Sequence, residues 1–244
     1  MSIFKQFVKK IIPRSVLDRR SERIATQAQN QYGMRSAREA FADIYRRNVW
    51  GGEEGEFYSG GGSEGEFAEA YAEVIRKFIS ENNVGSVVDL GCGDMRVASS
   101  FITPEINYIG CDIVPDLIEH HQRTNKFPNA EFRCINIIED DLPQGDLCLI
   151  RQVLQHLSNA EISRILQKVG KYRYLIISEH YPADGKMKSP NLDIPHGPHT
   201  RLVIDSAVVL DAEPFNLDKP IKLFERTDRD GSRIMTFLIT AKQK

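Results

Sequence analysis

An α/β fold, doubly wound around a mostly parallel sheet, is predicted by three features of the sequence. Between residues 66 and 178, short apolar runs alternate with segments whose apolar residues recur every three or four positions. One of the apolar runs leads directly into a Gly-x-Gly turn, Gly91-Cys92-Gly93. The chain then closes on two strand-like runs, 221–227 and 232–240, about the turn cluster Asp228-Arg229-Asp230-Gly231. Repeated strand–helix units imply parallel strands with helices on both faces. The last two runs imply an antiparallel hairpin at the sheet edge.

Composition narrows the class. The 244 residues are 41% hydrophobic and 27% charged, which is globular usage and excludes wholesale disorder, collagen and a disulfide scaffold. No run of 18 apolar residues exists, so no membrane-spanning helix is expected. A net charge of −2 argues against a nucleic-acid partner. Residues 1–48 carry 11 Lys/Arg against 4 Asp/Glu, a net of +7, which leaves −9 for the remainder. The chain divides into three segments: a basic helical N-terminal arm (1–48), a Gly-rich loop (49–65) and an acidic α/β domain (66–244). Cys92, Cys111, Cys134 and Cys148 lack CxxC spacing and sit in or beside apolar runs, so they are expected to be reduced, as in a cytoplasmic protein.

The arm opens with Ile3, Phe4, Phe7, Val8, Ile11 and Ile12 on one helical stripe, with Lys5, Lys9 and Lys10 off it and Pro13 ending it. Residues 1–12 therefore read as a basic amphipathic helix. It either makes peripheral contact with an anionic membrane surface, at the inner membrane face, or docks on protein. It is too short and too interrupted for a signal peptide. Residues 21–48 continue as a polar helical segment. The stretch 50–63 holds six glycines together with Trp50, Phe57 and Tyr58, and the aromatics suggest a loop that folds over something rather than a plain linker.

In the domain, 66–82 is a helix with Phe67, Tyr71, Val74, Ile75 and Phe78 on one face. Strands are expected at 86–90, 107–113, 131–137, 146–152 and 174–178. A short helix is expected at 115–122, and another opens at the capping box Ser158-Asn-Ala-Glu161. A helix is also expected straight after the Gly-x-Gly turn.

That turn, Val87-Val-Asp89-Leu-Gly91-Cys-Gly93-Asp94, brings the backbone close to a ligand. Asp112 ends the next strand about twenty residues on, where a carboxylate accepts both hydroxyls of a ribose. The dinucleotide fingerprint of three spaced glycines is not completed, with Asp94 and Met95 following the second glycine, and Asp89 and Asp94 would repel a diphosphate. The turn suits a nucleoside with cationic groups rather than NAD.

The order of these segments resembles the class I S-adenosylmethionine (SAM)-dependent methyltransferases, which are Rossmann-like. Asp89-Leu-Gly-Cys-Gly93 resembles their first motif, and 108–114 their second strand with its ribose-binding acid. The run 132–137 resembles the third strand, whose end reads the adenine, and 146–158 resembles the fourth strand and the segment after it. Asn136 stands where relatives often have an acid. No metal site is assigned and a metal requirement is not readable, while the resemblance implies SAM as cofactor. It places Asp89, Gly91, Cys92, Gly93, Asp112, Ile113, Asn136, Ile137, Arg151 and Gln152 around the cofactor, with Gly61 and Ser63 of the loop at its carboxylate. A narrower likeness, through Trp50-Gly, Ser59-Gly-Gly-Gly-Ser63 and Asn191-Leu-Asp-Ile with Arg201, is to a bacterial subgroup associated with surface-polysaccharide genes. It implies a small-molecule or glycan acceptor.

Methyl transfer to a hydroxyl needs a base. His156 comes after the fourth strand and His180 after the fifth, both at strand ends, where acceptor meets cofactor; these two are the catalytic candidates. Either is also explained by ordinary loop packing. His120 and His121 are expected on the surface of their helix. Tyr58 of the loop, and Asp193, His199 and Arg201 of the loop after the fifth strand, are the candidate acceptor-binding residues. A metal on His196 and His199, or a plain solvated loop, are the other readings of that segment. The function read is O-methyl transfer to a sugar or related small molecule. The alternatives are methylation of an amine or protein side chain, and a non-catalytic SAM-binding module acting through partners. Oligomeric state is not readable.

Overall fold

A computed structural model of the chain describes residues 31–240, together with Arg23 and Gln27. The amphipathic segment 1–12 lies outside the described residues. The first full helix, α1 (Ala37–Arg46), starts at a capping box in which Ser36 Oγ accepts from Glu39 N and the Glu39 carboxylate accepts from Ser36 N. After a 3-10 turn at Gly61–Ser63 comes α2 (Gly65–Glu81). Asn83, at φ +51, turns the chain into β1 (Ser86–Leu90). The chain continues through β2 (Asn107–Asp112), α3 (Pro115–Thr124), β3 (Ala130–Cys134), β4 (Leu147–Arg151), α4 (Asn159–Val169), β5 (Tyr174–Tyr181), β6 (Ile221–Thr227) and β7 (Arg233–Thr240).

The seven strands form one sheet in the order β3-β2-β1-β4-β5-β7-β6. β1 to β5 are mutually parallel, and β7 runs antiparallel to both β5 and β6. The expected doubly wound sheet with a closing hairpin is therefore present. Strand order reverses between β1 and β4, the place where the crevice above strand ends receives ligands.

Alternation along the strands sends side chains to two cores. Val88, Leu90, Cys148 and Ile150 face one core with Ile162 and Ile165 of α4; Val87, Leu147 and Leu149 face the other with Tyr71 and Ile75 of α2. α1 belongs to the first core. Its Ala40 and Ile44 are fully buried there, so the end of the basic N-terminal segment is part of the domain's packing.

One expected element is absent among the described residues. The Gly-x-Gly turn is not succeeded by a regular helix; a single 3-10 turn, Ala98–Ser100, stands in that place. Met95 adopts φ +64, and Asp94 Oδ1 accepts from Arg96 N, so the backbone is bent where a helix would begin. All four cysteines are free. Cys92, Cys111 and Cys148 are buried, and Cys134 is exposed at a strand end.

Candidate active site

Two clefts adjoin at the carboxyl ends of the strands. The first encloses about 1050 Å³, counted to its open mouth, over the ends of β1, β2 and β4. Its floor is the glycine turn. Gly91 N and Cys92 N donate to Cys111 O at 2.8 and 3.0 Å, which ties the turn to β2. Gly91 (φ +85) and Gly93 (φ +55) occupy left-handed conformations; a Cβ on Gly91 would overlap Val153, and one on Gly93 would overlap Ser59.

Asp112 ends β2 beside this turn. Its Oδ2 accepts from Gly93 N at 3.2 Å and its Oδ1 from Val114 N at 3.1 Å. Burial pushes its carboxyl up to about 6, against these hydrogen bonds. Asp89 accepts from Tyr108 OH at 2.8 Å and is likewise pushed by burial to about 6. Across the cleft, the Arg151 guanidinium stacks on the Tyr71 ring at 5.0 Å and donates to Gly62 O. Tyr71 OH, Arg151 Nε and His156 Nδ1 are buried without a hydrogen-bond partner, and all three residues line the cleft. Ile113, Asn136, Ile137 and Gln152 complete the wall. Asn136 Oδ1 accepts from Ile138 N at 3.0 Å, which shapes the turn after β3.

The glycine-rich segment closes over the site. Trp50 Nε1 donates to Pro198 O at 3.1 Å, and its ring lies 5.3 Å from Tyr45 and 5.2 Å from His156. Asp94 Oδ2 accepts from Ser59 N at 2.8 Å and from Ser63 Oγ at 3.2 Å. Arg96 then pairs with Asp94, Glu56 and Glu64. The carboxylate of the glycine turn is thus spent largely on holding the loop, a role that no local sequence pattern announces.

The second cleft, between this loop, the 152–156 segment and the β6–β7 hairpin, measures about 1520 Å³ when its open mouth is included. Gly61, Gln152, Gln155, His156, His180 and Arg229 are among its lining residues. Trp50, Gln152 and His156 line both clefts. Burial pushes the His156 imidazole down to about 4. His180 Nε2 lies 2.9 Å from Ser232 Oγ.

The candidates thus separate. Asp89, Gly91, Cys92, Gly93, Asp112, Ile113, Asn136, Ile137, Arg151 and Ser63 converge on the first cleft, Gly61 and His180 on the second, and Gln152 and His156 on both. Four acceptor candidates line neither. Arg201 is 1% exposed, and its guanidinium is committed to Leu192 O and Leu157 O, both at 2.6 Å. Asp193 Oδ1 accepts from Asn159 N and Ile194 N. Tyr58 lies under Arg96 at 4.9 Å on the outer side of the loop network. His199 is exposed.

His121 corrects the expectation of a surface residue. It is buried, with Nε2 2.7 Å from Gly93 O, and it braces the glycine turn from behind. His120 is half-buried against Phe57 of the loop at 5.3 Å. Tyr71 and Glu179 join the site without having been singled out by sequence pattern. Glu179 is buried, accepts from Leu154 N at 2.9 Å and Gln155 N at 3.1 Å, and is pushed up by burial to about 8. It therefore holds the backbone that presents His156. Among the described residues no cluster of three His, Cys, Asp or Glu forms a metal-ligand set. No described helix is long and apolar enough to cross a membrane.

Residues 88–172, the glycine turn and β2 to α4, match a family model described as a methyltransferase domain. The fold is that of the class I methyltransferases. The N-terminal domain of EvdMO1, solved in the presence of SAH (S-adenosylhomocysteine) and D-fucose, superposes with a TM-score of 0.52 at 16% identity, covering 85% of this chain and 100% of that one. The N-methyltransferase NodS from Bradyrhizobium japonicum WM9, in complex with SAH, gives 0.51 at 14% identity over 72% of this chain and 88% of that one. Magnesium protoporphyrin IX methyltransferase ChlM from Synechocystis PCC 6803, with bound SAM, gives 0.50 at 14% identity over 84% and 98%. No curated protein sequence matches the chain.

Proposed function

We propose that the protein is a SAM-dependent methyltransferase that methylates a hydroxyl of a sugar, glycan or related small molecule. The observation that carries this reading is the pair of clefts that share His156: one carries the groups a charged nucleoside needs, and the other is large, polar and histidine-lined.

The residues fit the cofactor. In this reading Asp112 takes the ribose hydroxyls and Asn136 and Ile137 border the base, which their place in the lining of the first cleft supports. The unpartnered Tyr71 OH and Arg151 Nε offer two donors for a carboxylate, and Asp89 supplies negative charge near the amino and sulfonium end. Bound there, SAM supplies an electrophilic methyl on sulfur. The chain's own work is to align the acceptor oxygen with that methyl, which contributes up to about 7–11 kcal/mol. It must also keep water out with the Trp50 loop and receive the hydroxyl proton, a base contribution of roughly 10²–10⁴-fold. The polar lining of the second cleft, with Trp50 beside Gln152 and Gln155, supports a polyol acceptor. So does the D-fucose present with EvdMO1, a protein of like fold.

We place the acceptor in the assembly of surface polysaccharide, handled by a cytoplasmic enzyme. Residues 1–12 then give peripheral contact with the inner membrane face; cosedimentation with anionic liposomes that fails for the full-length chain would remove this contact.

The decisive test of the function is incubation with SAM and a panel of sugar nucleotides and lipid-linked glycans, with SAH formation and the product's methyl signal read by NMR. An acceptor-dependent O-methyl signal is expected. An N-methyl product on an amine or protein acceptor, with no O-methyl product, would replace this reading.

A further inference from the structure

Two histidines line the second cleft, and their surroundings differ in a way that assigns the base. We propose that His180, not His156, takes the proton from the acceptor hydroxyl, and that Ser232 and Asp230 hold its ring in the tautomer that can do so. The inference rests on the methyl-transfer reading above.

The hydrogen count decides the tautomer. Asp230 Oδ1 accepts from Ser232 Oγ at 2.5 Å and from Ser232 N at 2.9 Å. A carboxylate only accepts, and a hydroxyl carries one hydrogen. With that hydrogen directed at Asp230, the Ser232 oxygen is left as an acceptor for His180 Nε2, 2.9 Å away. Nε2 therefore bears the ring hydrogen and Nδ1 bears the lone pair. No described residue hydrogen-bonds Nδ1, and His180 lines the cleft. The backbone that carries the ring is fixed from both sides, by β7 pairing at His180 opposite Ile234 and by Gln155 Oε1 accepting from His180 N at 3.2 Å, and the ring itself is held by Ser232.

His156 lacks this support. Its Nδ1 is buried without a partner, the Trp50 ring packs against it, and no carboxylate is hydrogen-bonded to it. Protonating it would bury a charge that only the backbone at Gly197 and His199 offsets, and burial outweighs that help and pushes it to about 4. Burial lowers His180 as well, but Asp230 and Asp228 of the hairpin oppose that shift, and the Ser232–Asp230 chain stabilises the imidazolium as it forms. Arg226 and Arg229 also line the cleft and act in the other direction, and Arg226 is itself paired with Glu66. Neighbouring Glu179 is turned to Leu154 N and Gln155 N.

In the step, the acceptor oxygen forms the new O–C bond as the S–C bond breaks, and that bond's electron pair stays on sulfur. The hydroxyl proton moves to His180 Nδ1 and leaves later to solvent. One positive charge enters on sulfonium and one leaves as the proton.

The test is a long-range 1H–15N NMR spectrum of the full-length chain with 15N-histidine, recorded with and without SAH, with His180 assigned by His180→Asn. The expected result is an Nε2–H tautomer that becomes mixed in Ser232→Ala and is restored in Ser232→Thr. In the sugar-nucleotide panel, His180→Asn should lower turnover roughly 10²–10⁴-fold with SAH affinity kept, and His156→Asn should lower it less. An Nδ1–H tautomer, or a larger loss from His156→Asn, overturns the assignment while SAH binding leaves the methyltransferase reading standing. Failure of SAH to bind the folded wild type overturns both.

Discussion

The two clefts differ in what builds them. The first stands on the ends of three neighbouring strands, and its key groups lie within a few residues of a strand: Asp89, Gly91, Gly93, Asp112 and Arg151. The second is assembled from a loop near residue 60, the segment after β4 and the β6–β7 hairpin, elements far apart in the chain. The first is anchored by the sheet's hydrogen bonds, so its geometry comes from strand register. The second depends on the side chains that fasten loops, chiefly Asp94, Arg96, Glu179 and Ser232. A fold organised this way holds its cofactor chamber constant and lets the acceptor chamber vary, which is why the fold alone does not name the acceptor.

The sharpest way to break this division is at a contact that joins the clefts. Gly91 sits under Val153, which begins the 153–156 segment. Gly91→Ala combines a strained φ with an overlap, so it should lower SAH affinity by more than about 100-fold and stability by about 1–3 kcal/mol. Calorimetry and thermal unfolding read both. Unchanged SAH binding would show that the turn does not touch the cofactor.

Glu179→Ala acts on the segment that separates the clefts, away from the glycine turn and Asp112. It leaves Leu154 N and Gln155 N without their acceptor, at a cost of about 1–3 kcal/mol in stability, with turnover reduced and SAH affinity kept. Loss of SAH affinity instead would merge the two chambers into one unit. The same residue sets a pH dependence. An ordinary glutamate releases its proton near 4.5, whereas burial holds that of Glu179 until about 8. The folded state then binds more protons than the unfolded one across that interval. Glu179 thus favours folding most below 4.5, and this contribution is lost as pH rises through 8. Asp89 and Asp112, both raised to about 6, add a loss of the same sign up to pH 6. Chemical unfolding at pH 5 and pH 9 should show a fall that is smaller in Glu179→Gln.

The smallest effect is expected outside both clefts. His196 Nδ1 lies 2.7 Å from Glu161 Oε1 and Nε2 lies 3.1 Å from Arg35 O, so two acceptors face one ring and favour the imidazolium. The Glu161 hydrogen bond accordingly holds its pKa above the usual histidine value. The contribution is fully present below 6.5 and is lost as pH rises through the folded value. His196→Gln should therefore cost about 1.5 kcal/mol at pH 6 and less at pH 9, with no change in SAH affinity.

The same contrast explains what the sequence discloses. Asp89, the glycines and Asp112 were legible because strand, turn and strand end are local patterns, and the hairpin was legible from its turn cluster. Tyr71 was hidden because its spacing in α2 is that of a core residue; only the structure shows its hydroxyl unpartnered in the cleft. Arg201 and Asp193 were misplaced because a loop's side chains are directed by distant partners, here Leu157 O and Asn159 N. His121 read as surface because nothing local shows that the Gly93 carbonyl lies across from it. The regular helix expected after the glycines is replaced by a bend because Met95 takes a left-handed φ that periodicity does not reveal.

The central claim is that the first cleft binds the methyl donor through the carboxylate at the end of β2. Calorimetric titration of SAH into the wild type and Asp112→Ala tests it most directly. The account predicts micromolar binding by the wild type, weakened about 10- to 100-fold in the variant as hydrogen bonds to a charged group are lost. Binding that is equal in both proteins would contradict the placement of the ribose at Asp112, and absence of binding by the folded wild type would contradict the methyltransferase reading itself.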